Sequence, residues 1–125
     1  MIAVVDDEEI VRKALVRLLQ AAGYDAHGFN SGADFLQNGS AYMPDCLVLD
    51  LQMPGLSGTD VQRALNRAGV HVPVVVITAH DSALARAECL REGAIAYLCK
   101  PVDERVLLDA LKLANAHHEK TPRAS

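Results

Sequence analysis

The sequence predicts an α/β fold of five strand–helix units, (βα)5, arranged as a doubly wound, five-stranded parallel sheet. Two observations predict this class: five short apolar runs punctuate the chain, and the segments between them carry helical periodicity. The centres of the runs lie roughly 20 to 27 residues apart, which fits one strand, one helix and two loops. The chain has 125 residues, which suits one compact domain.

The apolar runs are the predicted strands: Ile2–Val5, Asp25–Phe29, Cys46–Leu49, Val72–Ile77 and Ile95–Cys99. The first, third and fourth are continuous rather than alternating, which is typical of strands buried on both faces of a parallel sheet. Right-handed crossovers then place helices on both faces. The order of the strands does not follow from the sequence, and we expect the flavodoxin-like order 2-1-3-4-5, which is common for five such units.

Helical periodicity is clearest in the first and last predicted helices, where apolar residues form one stripe. The stripes are Val11, Leu15, Leu18, Leu19 and Ala22 in the first helix, and Val106, Leu107, Ala110, Leu111 and Ala114 in the last. Ser31 and Ser57 each precede an aspartate by three residues, which is the spacing of a capping box. Asp81 and Asp103 are the predicted caps of the last two helices. Residues 31–38 form the weakest predicted helix.

Composition excludes several classes of protein. The net charge of -4 argues against nucleic-acid binding by this domain alone, since phosphate binding requires a basic surface. No apolar run approaches the ~20 residues of a membrane helix. Cys46, Cys89 and Cys99 lack metal-site spacing, so we predict small core side chains in a reducing cytoplasm. The predicted domain spans residues 1–118, and residues 119–125 are predicted to form a tail or the start of a linker to an output domain.

Charged and polar side chains follow four of the five predicted strands. Strand 1 leads into Asp6 and Asp7, strand 3 into Asp50, strand 4 into Thr78 and strand 5 into Lys100. Open α/β sheets bind ligands beyond the carboxyl ends of the strands, at the point where the strand order reverses. In a 2-1-3-4-5 sheet that switch point lies between strands 1 and 3. We therefore expect three carboxylates, a hydroxyl and an ammonium group at one edge of the sheet.

Three carboxylates beside one lysine do not all stay ionised in a small space without a counter-ion. A hard divalent cation resolves this conflict, and Mg²⁺ suits a shallow site made of oxygen ligands and water. The cation and Lys100 would then bind the oxygens of a phosphoryl group, and the Thr78 hydroxyl would donate a hydrogen bond to one of them. Asp50, on the central strand, is the candidate nucleophile toward phosphorus.

Each of these residues also has a simpler interpretation. Asp7 on its own could be the N-cap of the first helix, and Asp50 could start the turn before Met53-Pro54-Gly55. Lys100 could be a solvated lysine and Thr78 a strand-end hydroxyl. Their joint placement at four strand ends favours the chemical interpretation over these separate ones.

The same stretches resemble the receiver domain of bacterial two-component response regulators. The matching pieces are Val4-Val5-Asp6-Asp7-Glu8, Leu47-Val48-Leu49-Asp50-Leu51-Gln52-Met53-Pro54-Gly55, Val76-Ile77-Thr78-Ala79 and Tyr97-Leu98-Cys99-Lys100-Pro101. The resemblance extends from Ile2 to about Ala116. The Met-Pro-Gly-Leu-Ser-Gly stretch is similar to that of the nitrogen-fixation type of regulator, whose output is often a helix-turn-helix DNA-binding domain.

The resemblance implies a phosphoacceptor regulatory domain rather than an enzyme. Asp50 would accept a phosphoryl group from the phosphohistidine of a sensor histidine kinase, and Lys100 would contact that group. Mg²⁺ would be bound by the side chains of Asp7 and Asp50, by the backbone carbonyl of Gln52 and, mostly through water, by Asp6. The peptide bond after Lys100 is typically cis in this family.

The resemblance also implies a switch. Thr78 would move toward a phosphoryl oxygen while Tyr97 turns inward, and Gln52 and His80 would tune hydrolysis of the acyl phosphate. The surface of helix 4, strand 5 and helix 5 would then control homodimerisation or an output domain, with DNA bound only through a separate domain. The charged residues predicted on this surface are Arg86, Glu88, Arg91, Arg105, Asp109 and Lys112.

Three other functions remain to be distinguished. A phosphatase of the haloacid dehalogenase type also uses an aspartyl nucleophile, but it requires Asp-x-Asp after strand 1, where this chain has adjacent Asp6 and Asp7. A flavin or nucleotide binder would need a glycine-rich phosphate loop after strand 1, and the sequence has none there. The third is a degenerate receiver that acts only as a protein-interaction module, and the presence of all five expected site residues argues against it.

Overall fold

The structure of the chain, a computed structural model, describes residues 1–120, and at residues 40 and 116–120 it describes the backbone only. The strands are β1 (Ile2–Val5), β2 (Ala26–Phe29), β3 (Cys46–Asp50), β4 (Val74–Thr78) and β5 (Ala94–Cys99). They form one parallel sheet in the order β2-β1-β3-β4-β5. The predicted fold class and strand order are therefore confirmed.

Helices cover both faces of the sheet. They are α1 (Glu9–Ala21), α2 (Gly32–Asp34), α3 (Gly58–Arg67), α4 (Ala83–Arg91) and α5 (Glu104–Lys120). On one face, α1 and α5 contribute Leu15, Leu19, Leu107 and Leu111 to one core cluster. On the other face, α3 and α4 contribute Val61, Leu65 and Cys89 to a second cluster. Every residue of β1, β3 and β4 is buried as a result, which explains their continuous apolar sequences.

The weakest predicted helix, residues 31–38, is only one turn of α-helix. After α2 the chain forms a π-helical turn at Phe35–Gly39 and a 3₁₀ turn at Ser40–Tyr42. The wider π turn brings Gly39 against the edge-to-face rings of Phe29 and Phe35, whose centroids lie 5.5 Å apart. A Cβ at Gly39 would lie 2.6 Å from the Phe35 ring, so aromatic packing replaces regular helical geometry here.

The predicted helix caps are confirmed in part. At Ser57 the capping box is complete, and the Asp103 carboxylate accepts a hydrogen bond from the Val106 N–H at 3.1 Å at the start of α5. The prediction for α4 is wrong by one residue, because its cap is Ser82 rather than Asp81. The Ala85 N–H donates to the Ser82 hydroxyl at 3.0 Å, since α4 begins at Ala83 and the third helical N–H faces Ser82.

Several residues predicted to lie in the core are exposed. Ala22 follows the last turn of α1, Val106 lies at the margin of the α5 stripe with 48% of its surface exposed, and Cys99 ends the edge strand β5. Helix α5 continues to Lys120, two residues beyond the predicted domain boundary, and residues 121–125 of the predicted tail lie outside the described residues. None of the described helices has the length and apolar character needed to cross a membrane.

The start of α3 packs directly beneath the end of β3. The Gly58 N–H donates to the Leu51 carbonyl at 2.9 Å. A Cβ at Gly58 would lie 2.7 Å from the Asp50 carbonyl oxygen and 2.9 Å from the Leu51 Cα. Both atoms belong to the backbone, so neither can yield as the end of a flexible side chain would.

We therefore expect Gly58→Ala to destabilise the fold by about 1–3 kcal/mol, the usual effect of overpacking. Urea denaturation monitored by circular dichroism measures this change. Gly28→Ala is the matched control, because its Cβ would meet only the flexible stem of Arg12, at 3.0 Å, and the side chain of Val16. Equal losses of stability in the two variants would contradict the proposed role of Gly58.

Candidate functional site

The strand register places the predicted site residues at one level of the sheet. Val5 pairs with Leu49, so Asp6 and Asp50 are the next residues on neighbouring strands. Asp50 pairs with Ile77 and Thr78 pairs with Cys99, which puts Thr78 and Lys100 one step further along β4 and β5. The carboxyl ends of β1, β3, β4 and β5 thus meet where the strand order reverses between β1 and β3.

Three carboxylates converge at this edge. One oxygen from each of Asp6, Asp7 and Asp50 lies within 4.8 Å of the other two. The side chains differ in environment, because Asp6 is fully buried, Asp50 is 2% exposed and Asp7 is exposed. Burial raises the pKa of Asp50 to about 7, the charge of Asp6 adds to this rise, and Lys100 opposes it.

Lys100 is the cation of the site. Its Nζ lies 3.0 Å from Asp6 Oδ2, 3.4 Å from Asp50 Oδ1 and 3.3 Å from Glu8 Oε1. Burial by itself would lower the pKa of Lys100, but the surrounding carboxylates outweigh this effect and raise the pKa above its ordinary value. The buried Asp6 Oδ2 faces this ammonium group, and a carboxylate oxygen with two lone pairs keeps acceptor capacity beside it. The Lys100–Pro101 peptide bond is cis.

The Thr78 hydroxyl is fully buried and engages the loops that follow β3 and β4. It donates to Gln52 Oε1 at 3.0 Å or to the His80 carbonyl at 3.2 Å, and it accepts a hydrogen bond from the His80 N–H at 3.1 Å. The backbone N–H of Gln52 also favours the charged form of Asp50 and lowers its pKa. Gln52 therefore acts on the candidate nucleophile through its backbone and contacts the candidate switch residue with its side chain.

Tyr97 is buried, with 7% of its surface exposed, and the Arg86 guanidinium lies 5.6 Å from the centre of its ring. The Tyr97 ring is thus buried in the same structure in which the Thr78 hydroxyl bonds to Gln52 and His80. Arg86 connects Tyr97 to the exposed face of α4.

The residues present fit a magnesium ion. Carboxylate oxygens are the ligands that Mg²⁺ prefers, and this cluster combines two buried carboxylates, one exposed carboxylate and a buried Asp6 oxygen with acceptor capacity to spare. An additional positive charge would also relieve the repulsion that raises the pKa of Asp50. The Gln52 carbonyl stays a predicted ligand.

Two contacts were not predicted from the sequence. Glu8 pairs with Lys100, and its place directly after Asp7 was the available signal for this contact. The Gln52 side chain reaches Thr78 across 26 positions of sequence, for which no local signal exists. Asp7 is not the cap of α1, because Glu8 holds that position and makes no side-chain cap bond.

Curated proteins are similar to this chain in sequence. Nodulation protein W of Bradyrhizobium diazoefficiens is 34% identical over 124 residues, covering 99% of this chain and 55% of the relative. Transcriptional regulatory protein FixJ of Azorhizobium caulinodans is 35% identical over 109 residues, covering 87% of this chain and 52% of the relative. The chain thus spans about half the length of the curated relatives it matches.

Two solved structures are similar to this chain in fold and sequence. The crystal structure of FixJ-N superposes with a TM-score of 0.82 at 34% identity, covering 93% of each chain. The structure of the response regulator StyR superposes with a TM-score of 0.84 at 36% identity, covering 95% of this chain and 60% of that one. The response regulator receiver domain family itself matches residues 2–112. With the acidic cluster, the lysine and the threonine at the strand ends, this match shows that the chain belongs to the response regulator receiver domain family.

Proposed function

We propose that this receiver domain accepts a phosphoryl group on Asp50 from the phosphohistidine of a sensor histidine kinase and thereby changes its α4–β5–α5 surface. The observation that carries the proposal is the position of Asp50. It is a buried carboxylate at the switch point of the sheet, with Asp6 and Asp7 on one side and Lys100 Nζ 3.4 Å away. Membership of the family supports a role in phosphorylation-dependent signalling.

The chemistry follows from these groups. An oxygen of Asp50 would form a bond to phosphorus as the bond between phosphorus and the histidine nitrogen of the kinase breaks, and the histidine keeps that electron pair. Lys100 would neutralise charge on the phosphoryl oxygens. Mg²⁺, held by Asp6, Asp7, Asp50 and the Gln52 carbonyl, would supply further positive charge for those oxygens. The ionised form of Asp50 is the nucleophile in this step, because a protonated carboxyl group is far less nucleophilic.

Phosphorylation would act on the rest of the domain through Thr78 and Tyr97. The Thr78 hydroxyl would donate to a phosphoryl oxygen, so the acyl phosphate would favour conformations in which β4 and its loop approach Asp50. Tyr97 lies on the next strand, and Arg86 joins it to α4. The change at the site would in this way reach the α4–β5–α5 surface, called the output surface below.

The output surface is suited to a second copy of the chain. Its cations Arg86, Arg91, Arg105 and Lys112 are all exposed, and acidic Glu88 and Asp109 lie on the same helices. Among the described residues, none of these six belongs to an ion pair within the chain. A two-fold dimer could therefore pair them between protomers. Because relatives of about twice this length are transcriptional regulators, we propose that DNA binding would belong to a separate output domain.

The raised pKa of Asp50 predicts how stability depends on pH without metal. An acid whose pKa is higher in the folded protein, here about 7 against an ordinary 3.8, binds more protons when folded. Its contribution to the free energy of unfolding therefore falls as the pH rises from about 4 to about 7. We expect Asp50→Asn to raise the melting temperature at pH 8 in EDTA, and this gain to shrink toward pH 4.

Asp60→Asn is the control with the opposite sign. Hydrogen bonds from Ser57 lower the pKa of Asp60, so its stabilising contribution is present at high pH and is lost as the pH falls. Mg²⁺ should raise the melting temperature of the wild type more than that of Asp50→Asn. A gain from Asp50→Asn that is the same at pH 4.5 and pH 8 would contradict the assignment.

The phosphoacceptor is tested by intact mass after incubation with acetyl phosphate. We expect one phosphate adduct on the wild type in Mg²⁺, and no adduct on Asp50→Asn or in EDTA. Asp60→Asn, which changes an aspartate outside the site, should still form the adduct. The phosphorylated protein should elute earlier on a sizing column if the output surface dimerises. A wild type that binds Mg²⁺ but forms no adduct would instead indicate an interaction module.

Membership of the family implies that Gln52 and His80, which follow Asp50 and Thr78 by two positions, tune the lifetime of the acyl phosphate. We expect Gln52→Ala and His80→Ala each to change the rate at which the phosphate adduct decays, while both variants still form it. The decay is followed by mass after acetyl phosphate is removed. Lifetimes equal to that of the wild type in both variants would show that neither side chain acts on hydrolysis.

A further inference from the structure

We propose that the Gln52 side chain is a latch that holds the Thr78 hydroxyl until the phosphoryl group displaces it. This inference rests on the proposed function and goes beyond it, because it assigns Gln52 a positioning role toward Thr78 that is separate from any effect on water. The carrying observation is the hydrogen bond from Thr78 Oγ1 to Gln52 Oε1, at 3.0 Å.

A hydroxyl has one proton, and the phosphoryl oxygen and Gln52 Oε1 would compete for it. Thr78 is fully buried, whereas the Gln52 side chain is exposed. When the bond breaks, the amide oxygen can therefore turn to water, while the buried hydroxyl can bond only to acceptors inside the site. These would be the His80 carbonyl, which moves with Thr78, and the phosphoryl group.

The other partners of Thr78 do not act as such a latch. The His80 N–H and carbonyl, at 3.1 and 3.2 Å, belong to the loop that directly follows β4, so they can move together with Thr78. The Gln52 contact joins two loops instead, since Gln52 follows β3 and is 26 positions away from Thr78 in sequence. Breaking it removes a side-chain contact between the β3 loop and the β4 strand end.

Gln52 also lies two positions after the nucleophile. Its backbone N–H favours the charged form of Asp50 and lowers its pKa, and its side chain binds the switch hydroxyl, so one residue connects the two groups. A change at Asp50 thus reaches the latch through a single residue. The latch makes the unphosphorylated state more favourable and reduces the affinity of the site for any phosphoryl-like group.

Beryllofluoride, a non-covalent mimic of the phosphoryl group, tests the latch without a hydrolysis step. We expect Gln52→Met to bind it, with Mg²⁺ present, about fivefold more tightly than the wild type, the factor that corresponds to one ordinary net hydrogen bond. Isothermal titration calorimetry measures the affinity. Gln52→Leu should behave alike, and Gln52→Glu, which keeps an acceptor oxygen, should show no gain. Gln20→Met makes the same change on the exposed face of α1 as a control.

A double-mutant cycle with Thr78→Val separates the latch from other roles of Gln52. Valine has a similar shape but no hydroxyl, so Gln52→Met should leave the affinity of Thr78→Val for beryllofluoride unchanged. An equal gain in both backgrounds would overturn the latch, as would a gain below about twofold, or weaker binding, in the Thr78 background. A wild type that binds no beryllofluoride and forms no adduct on Asp50 would overturn the proposed function, and the latch with it.

Discussion

Two buried carboxylates that share one ammonium group are the constraint on which the rest of this structure depends. Asp6 and Asp50 are almost completely inaccessible to solvent, and Lys100 Nζ lies 3.0 and 3.4 Å from their oxygens. One cation does not compensate two buried anions, and burial together with the charge of Asp6 raises the pKa of Asp50 to about 7. A site short of positive charge favours a divalent cation and, once that cation is bound, an anionic group beside it.

The fold sustains this unfavourable arrangement because the sheet holds the groups from several directions. Asp6 follows β1 and Asp50 ends β3, two strands buried on both faces, and Lys100 approaches from the edge strand β5. Gly58 lets α3 pack against the backbone of Asp50 and Leu51, with no side chain between them. Apolar burial in the two core clusters thus holds together charges that would separate in a flexible chain.

Helix α4, to which the proposed switch would transmit its change, is lightly anchored. Cys89 is the one buried residue of α4. The end of this helix is tied to α3 by polar contacts, with Gln62 Nε2 donating to the Cys89 carbonyl at 3.1 Å and Asn66 Nδ2 to the Glu92 carbonyl at 2.9 Å. Little apolar area opposes movement of α4, so small changes around Thr78 and Tyr97 act on an element that can respond.

The sequence by itself determined the strands, their parallel arrangement and the set of residues at the site, because buried strands need continuous apolar runs and strand ends in such a sheet share one edge. The tertiary structure decided which side chains touch. Glu8 pairs with Lys100, and Gln52 reaches Thr78, through contacts 92 and 26 positions apart in sequence. The π turn after α2 and the exposure of Cys99 likewise depend on neighbouring elements. Local pattern encodes periodicity and burial, whereas hydrogen bonds between loops depend on how the whole sheet brings those loops together.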